Sequence, residues 1–169
     1  MKVKVPVISE ASKKRAMDLF IDGKVAESKK QLGDAVAAYM EALQFDSQSS
    51  EIALSLSEVF WRSGKFRSAL HYVELAVKLD PSSSQAWFRL QQFAQHKGDF
   101  KRAAEALEIY MKLTPEKEFT DVIKLAHFYF SMGKKDKAKS LIMSNIKRKD
   151  IPAYEMAQAA EIMNIHGQT

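Results

Sequence analysis

The chain has 169 residues, of which 46% are hydrophobic, with six glycines, four prolines and no cysteine. That composition supports a sizeable core, disfavours a turn-rich all-β fold, and excludes disulfides, thiolate catalysis and thiolate metal sites. Net charge is +5, but residues 34–118 hold ten basic against twelve acidic side chains, so the excess lies at the two ends and forms no dense nucleic-acid stripe.

Residues 1–8 alternate Val3, Val5 and Val7 with Lys2 and Lys4, which reads as a flexible basic arm. The apolar run there is short and broken by Lys4 and Pro6, unlike a signal peptide. No segment approaches the ~18 apolar residues needed to cross a bilayer. The expectation is a soluble, cytoplasmic protein without a transmembrane segment.

The first helix is predicted to start near Ser9-Glu10, with a serine cap, and to run to about Lys30. Beyond it the chain repeats itself. GKFRSALHYVELAVKLDP at 64–81 and GDFKRAAEALEIYMKLTP at 98–115 start 34 residues apart and share seven of eighteen positions. Ala35, Ala69 and Ala103 keep the same interval, as do Leu32, Phe66 and Phe100. A fourth copy follows a one-residue slip, placed in the loop around Glu116–Phe119: Leu125, Tyr129, Gly133 and Ala138 lie 35 residues after Leu90, Ala94, Gly98 and Ala103.

Each copy reads as two helices. Apolar residues recur at spacings of three and four, as in Ala69, Val73, Ala76 and Val77. Gly-x-Phe marks the turn, and the small alanine lets two helix backbones approach closely. Asp80-Pro81 or Thr114-Pro115 ends the second helix, because proline cannot continue it. Ser82–Ser84 then offer hydroxyl caps.

The pattern resembles the tetratricopeptide repeat, Trp-x2-Leu-Gly-x2-Tyr, then Ala-x3-Phe, then Pro. The third copy has Trp87-x2-Leu90, with Gln91 for the glycine and Ala94 for the tyrosine. The first has Leu19-x3-Gly23, Ala26 at the tyrosine place, and Ala35-x3-Tyr39; the second has Leu56, Phe60, Gly64, Ala69 and Pro81. The resemblance covers roughly residues 10–152. It implies an all-α, right-handed superhelical solenoid of antiparallel helix pairs, at about 9–48, 49–82, 83–117 and 118–150. The tail 151–169 places Met156, Ala159, Ala160 and Met163 on one helical face. It reads as a capping helix, or alternatively as the opening of a further copy.

In such arrays the first helices line a concave face that binds a peptide or helix of a partner. Equivalent places there read Phe20, Leu54, Phe88, Ile123; then Ile21, Ser55, Arg89, Lys124; then Lys24, Glu58, Gln92, His127. One turn later come Glu27, Trp61, Gln95, Phe130 and Ser28, Arg62, His96, Ser131. The candidate groove is Phe20, Lys24, Leu54, Glu58, Trp61, Arg62, Phe88, Arg89, Gln92, His96, Lys124, His127 and Phe130. The Phe20–Leu54–Phe88–Ile123 row reads equally as groove or as packing between helices. Some tetratricopeptide repeat proteins grip C-terminal carboxylates with Lys, Asn and Arg. At those places this chain has Phe20, Lys24, Ser55, Gln85 and Arg89, of which only Arg89 matches. A full clamp is therefore not expected, although Arg89 and Lys124 could pair with one acidic group.

No other chemistry stands out. His71, His96, His127 and His166 lack metal-ligand spacing, and there is no phosphate-cradling glycine loop or hydrolytic triad. Basic GKKDKAK at 133–139 and KRK at 147–149 read as the ends of one helix, with KRK favoured by its dipole. The reading is a non-catalytic interaction module, an adaptor or scaffold without cofactor or metal, compatible with a place in a larger complex. The alternative is a holding chaperone for an apolar segment of a specific client. Nucleic acid is the least supported partner.

Overall fold

The computed structural model describes residues 8–114, 118–147 and 151–165. These form nine helices and, among the described residues, no strand: α1 (Glu10–Ser28), α2 (Leu32–Phe45), α3 (Ser50–Arg62), α4 (Phe66–Leu79), α5 (Ser84–His96), α6 (Phe100–Leu113), α7 (Phe119–Ser131), α8 (Lys135–Asn145) and α9 (Ala153–Ile165). The fold is all-α. It divides between Ser82 and Ser83 into two compact units, one holding α1–α4 and the other α5–α9.

Four hairpins share one turn. Just past the first helix a residue takes left-handed φ: Lys30 at 60°, Gly64 at 72°, Gly98 at 78° and Gly133 at 73°. The next amide then reaches back five residues. Gln31 donates to the Ala26 carbonyl, Lys65 to Phe60, Asp99 to Ala94 and Lys134 to Tyr129, all at 2.8–2.9 Å. These bonds satisfy carbonyls that a helix end leaves orphaned. Glycine bears positive φ without a Cβ clash, which explains its recurrence. The first copy makes the same turn with a lysine.

First helices start on serine. Ser9, Ser49 and Ser83 accept from the amides of Ser12, Ile52 and Ala86 at 3.1–3.3 Å. Of the Ser82–Ser84 run it is thus Ser83 that caps. Glu118 precedes α7 without a side-chain cap. Among the second helices of the hairpins only α6 has one, Asp99 accepting from the Arg102 amide at 3.1 Å.

In the first unit the core is built on Ala35, Tyr39, Leu56, Val59, Ala69 and Val73, none of them exposed. In the second it is Ala103, Leu107, Val122, Ala126, Ala138 and Ile142. Each large aliphatic side chain fully withdrawn from water contributes about 1.5–3 kcal/mol. The alanine ladder is therefore the contact line of each hairpin, as its small size requires.

The tail differs from the face read in its sequence. α9 packs on α7 through Ala159 and Ile162, both buried, and through Glu155, whose carboxylate accepts from the Thr120 hydroxyl at 2.6 Å. Met156 and Ala160 face outward and Met163 is half-buried. The buried stripe sits about a quarter of a turn round from the expected one, on the side where Glu155 meets Thr120 of α7. α8 also ends at Asn145, so Lys147 lies beyond its cap Ile146 rather than in its last turn. Arg148, Lys149, His166, most of the 1–8 arm and Glu116 and Lys117 of the predicted loop lie outside the described residues.

Candidate functional site

In the first unit α1 and α3 lie side by side, and one carboxylate joins them. Glu27 accepts from Arg62 Nη1 of α3 at 2.7 Å and from the Tyr39 hydroxyl of α2 at 2.5 Å, with Lys24 Nζ at 3.7 Å. Lys24 also donates to Ser55 Oγ at 2.9 Å and lies 5.1 Å from the Phe20 ring centroid. Burial, then the hydrogen bond to Glu27 and its charge, push the Tyr39 phenol far above its ordinary pKa. The hydroxyl therefore stays protonated and donates to Glu27 alongside Arg62.

This arrangement sorts the candidates. Phe20 and Leu54 are buried, Phe20 against Tyr39 at 5.5 Å between ring centroids. In this unit the apolar row is packing. Lys24 and Arg62 keep about half of their side-chain surface exposed while bound to Glu27. Glu58 and Trp61 are half-buried, with Trp61 edge-on to Phe66 at 4.7 Å. A cleft of about 230 Å³ beside Met17 and Phe20 is rimmed by Lys13, Asp46 and Glu51. It is smaller than the ~300–1,000 Å³ of ordinary small-molecule sites.

In the second unit α5 and α7 carry the corresponding surface. Phe88 is half-buried, its ring 5.2 Å from Tyr110 and 5.9 Å from Lys124 Nζ of α7. Lys124 also approaches Asp121 Oδ1 at 3.6 Å. Arg89 and Gln92 are half-buried and hydrogen-bonded to each other at 2.9 Å. Phe88 therefore has one cation, Lys124, beside its ring and stays half-buried. Ile123 and Phe130 are buried and do not line the surface. His96 and His127 are exposed on the first helices.

The sequence reading missed a second three-helix tie. Glu108 of α6 accepts from the Tyr129 hydroxyl of α7 and from Lys137 Nζ of α8, the latter at 3.2 Å. Burial acts to raise the Glu108 pKa, but the bonds from Tyr129 and Lys137 outweigh it and hold the carboxyl below its usual range. Burial and Glu108 raise Tyr129. No spacing rule pairs these residues, since each sits on a different helix. Among the described residues no group of three acidic or histidine side chains could hold a metal ion. No described helix is long and apolar enough to cross a membrane.

Residues 54–117 match the tetratricopeptide repeat family model. No curated protein matches the chain. Among solved structures, the crystal structure of the MamA protein is 22% identical, with a TM-score of 0.75 over 91% of this chain and 84% of that one. YrrB, described as a TPR protein with an unusual peptide-binding site, is 18% identical, with a TM-score of 0.75 over 94% and 81%. The first TPR of Spaghetti (RPAP3), bound to the HSP90 peptide SRMEEVD, is 19% identical, with a TM-score of 0.64 over 72% and 95%. At these identities the likeness shows a shared fold, an all-α repeat solenoid.

Proposed function

The chain carries tetratricopeptide repeats, and from that premise we propose that it is a non-catalytic protein-interaction module, whose α5–α7 face receives an extended or helical segment bearing an apolar anchor beside an acidic group. The observation that carries this reading is the Phe88 cluster: an accessible aromatic edge with Lys124 over its ring and Arg89 adjoining it. A large apolar side chain left partly in water forgoes part of its ~1.5–3 kcal/mol of burial, which a partner's side chain recovers. Lys124 stays about a third exposed beside the ring although it approaches Asp121 at 3.6 Å. An acidic group next to the anchor is therefore favoured, and a basic one is disfavoured.

The fold relatives support a peptide as the ligand class, since one is described by its peptide-binding site and another holds the acidic peptide SRMEEVD. Gln92 and His127 would offer further hydrogen bonds along the same helices. On the first unit, Lys24, Glu58, Trp61 and Arg62 form a separate surface. There Glu27 already engages both cations, so that face favours apolar and neutral contacts.

The test is paired affinity capture from the native lysate, with wild type and a Phe88→Glu, Lys124→Glu double variant as baits. Circular dichroism first confirms that the variant is helical and melts cooperatively. A captured protein whose binding is lost in the variant, and which carries an acidic-apolar segment, supports the reading. A full set of partners retained by the variant removes the function from α5–α7.

A further inference from the structure

At the place of Met17 on α1, the later first helices carry Glu51, Gln85 and Thr120, each polar and exposed. Met17 is the apolar member of the series and stands 54% exposed. It borders the 230 Å³ cleft between α1 and the start of α3, which the buried Ala16, Phe20 and Ile52 also line. That space is small for an ordinary small-molecule ligand but suits short aliphatic side chains.

The charges around the cleft are unequal. Lys13 is engaged by Glu10 at 3.2 Å. Asp46 and Glu51, toward α3, make no ion pair among the described residues. Asp46 accepts from the Gln48 amide at 3.1 Å, whereas Glu51 stands exposed. Lys14, about a sixth of a turn round from Met17, balances only one of the two carboxylates.

The chain itself carries a segment of matching chemistry. Residues 1–7, MKVKVPV, alternate valines with Lys2 and Lys4. At strand spacing the valines share one side, and the long lysine stems can bend their ammonium groups to a rim. The segment joins α1 at Ser9, and Met17 lies about 12 Å along the helix from there. The five residues before Pro6 span at most about 16–18 Å. A reversal at Pro6, a residue type suited to turns, brings Val3 and Val5 within reach of the cleft.

We propose that residues 1–7 dock in this cleft, with Val3 and Val5 against Met17, Phe20 and Ile52 and with Lys4 set against Glu51. The arm is then a self-ligand on the first-unit face, which an external segment must displace in order to bind there. A short tether supplies an effective concentration of millimolar order, so a contact too weak between separate molecules is populated within one.

The test follows the Met17 methyl resonance in the whole chain, identified by its absence in Met17→Leu. Val3→Asp with Val5→Asp is expected to move it toward the position of a fully exposed methionine. Lys4→Glu and Glu51→Lys, each alone, move it the same way, and the two together restore the wild-type position. The synthetic peptide MKVKVPV, added at millimolar concentration to the chain with both valines replaced, also restores it. Glu51 is exposed and the other replaced charges lie in the arm, and circular dichroism confirms that the variants remain folded. A resonance indifferent to the valine substitutions, a charge swap that fails to restore it, or a peptide that leaves it unmoved overturns the proposal. So does a wild-type resonance that shifts with protein concentration, which would place the arm of one copy in the cleft of another.

Discussion

A Cβ added to Gly23 would stand 2.2 Å from Cε1 of Tyr39, well inside any real contact. The two residues define a seat. At the same places in the later copies stand Ser57 with Val73, Gln91 with Leu107, and Ala126 with Ile142, all wholly buried. The largest residue of the second-helix series, Tyr39, occurs in the copy with the smallest first-helix residue.

Gly23→Ala should therefore destabilise the first unit, although alanine is the better helix former by about 1 kcal/mol. Overpacking against an aromatic ring costs about 1–3 kcal/mol and prevails. Combined with Tyr39→Ile, which copies the Ala126 and Ile142 pair, the loss should fall short of the sum of the two single losses by at least ~1 kcal/mol. Urea denaturation of the four proteins in the cycle measures it.

Lys30 holds φ at 60° where the other three turns have glycine. A side chain in that region costs about 1 kcal/mol or more. Lys30→Gly is expected to stabilise the protein by about 0.5–1 kcal/mol, despite the greater freedom that glycine gives the unfolded chain. The midpoint of thermal unfolding should rise. An unchanged or lower midpoint would contradict this account of the turn.

Gln91 is wholly buried. Its Nε2 donates to Gln95 Oε1 at 2.7 Å, while its own Oε1 has no partner. Leaving such an acceptor unsatisfied costs about 1–3 kcal/mol. Gln91→Met keeps the length of the side chain and removes the oxygen. It should be neutral or stabilising by up to ~1 kcal/mol, as read by chemical denaturation, whereas Gln91→Glu should be strongly destabilising.

The repeat and the hairpins were legible because they rest on local rules: a 34-residue period, small alanines buried at contact lines, serine caps and left-handed glycines. What escaped depended on three helices meeting. The sequence left the Phe20 and Leu54 row equally readable as groove or as packing; Phe20 is buried under Lys24, one turn along α1, and under Tyr39, which comes from another helix and no spacing rule pairs with it. The buried stripe of α9 includes Glu155, whose partner Thr120 lies 35 residues away, beyond any local pattern. Lys30 went unnoticed as a turn residue because its identity breaks the pattern that its backbone keeps.

Glu108 supplies a pH dependence. Its carboxyl lies below the usual value, chiefly because Tyr129 and Lys137 donate to it against the opposing effect of burial. A depressed acid contributes stability that is present above the unfolded-state value near 4.5 and is lost as pH falls through the folded one. Wild type should lose stability on acidification below about pH 4.5 more steeply than Glu108→Gln does. Parallel acid limbs in denaturation curves collected from pH 6 to 2.5 would contradict this.

Within each unit, helices pack chiefly against their neighbours along the chain, with α9 on α7 as the longer reach. The rate of structure formation follows from that locality. Little chain must be closed before a contact forms, so loop entropy is a small barrier, and folding belongs to the microsecond-to-millisecond class of low contact order. A nascent chain can complete its α1–α2 hairpin before α4 is made.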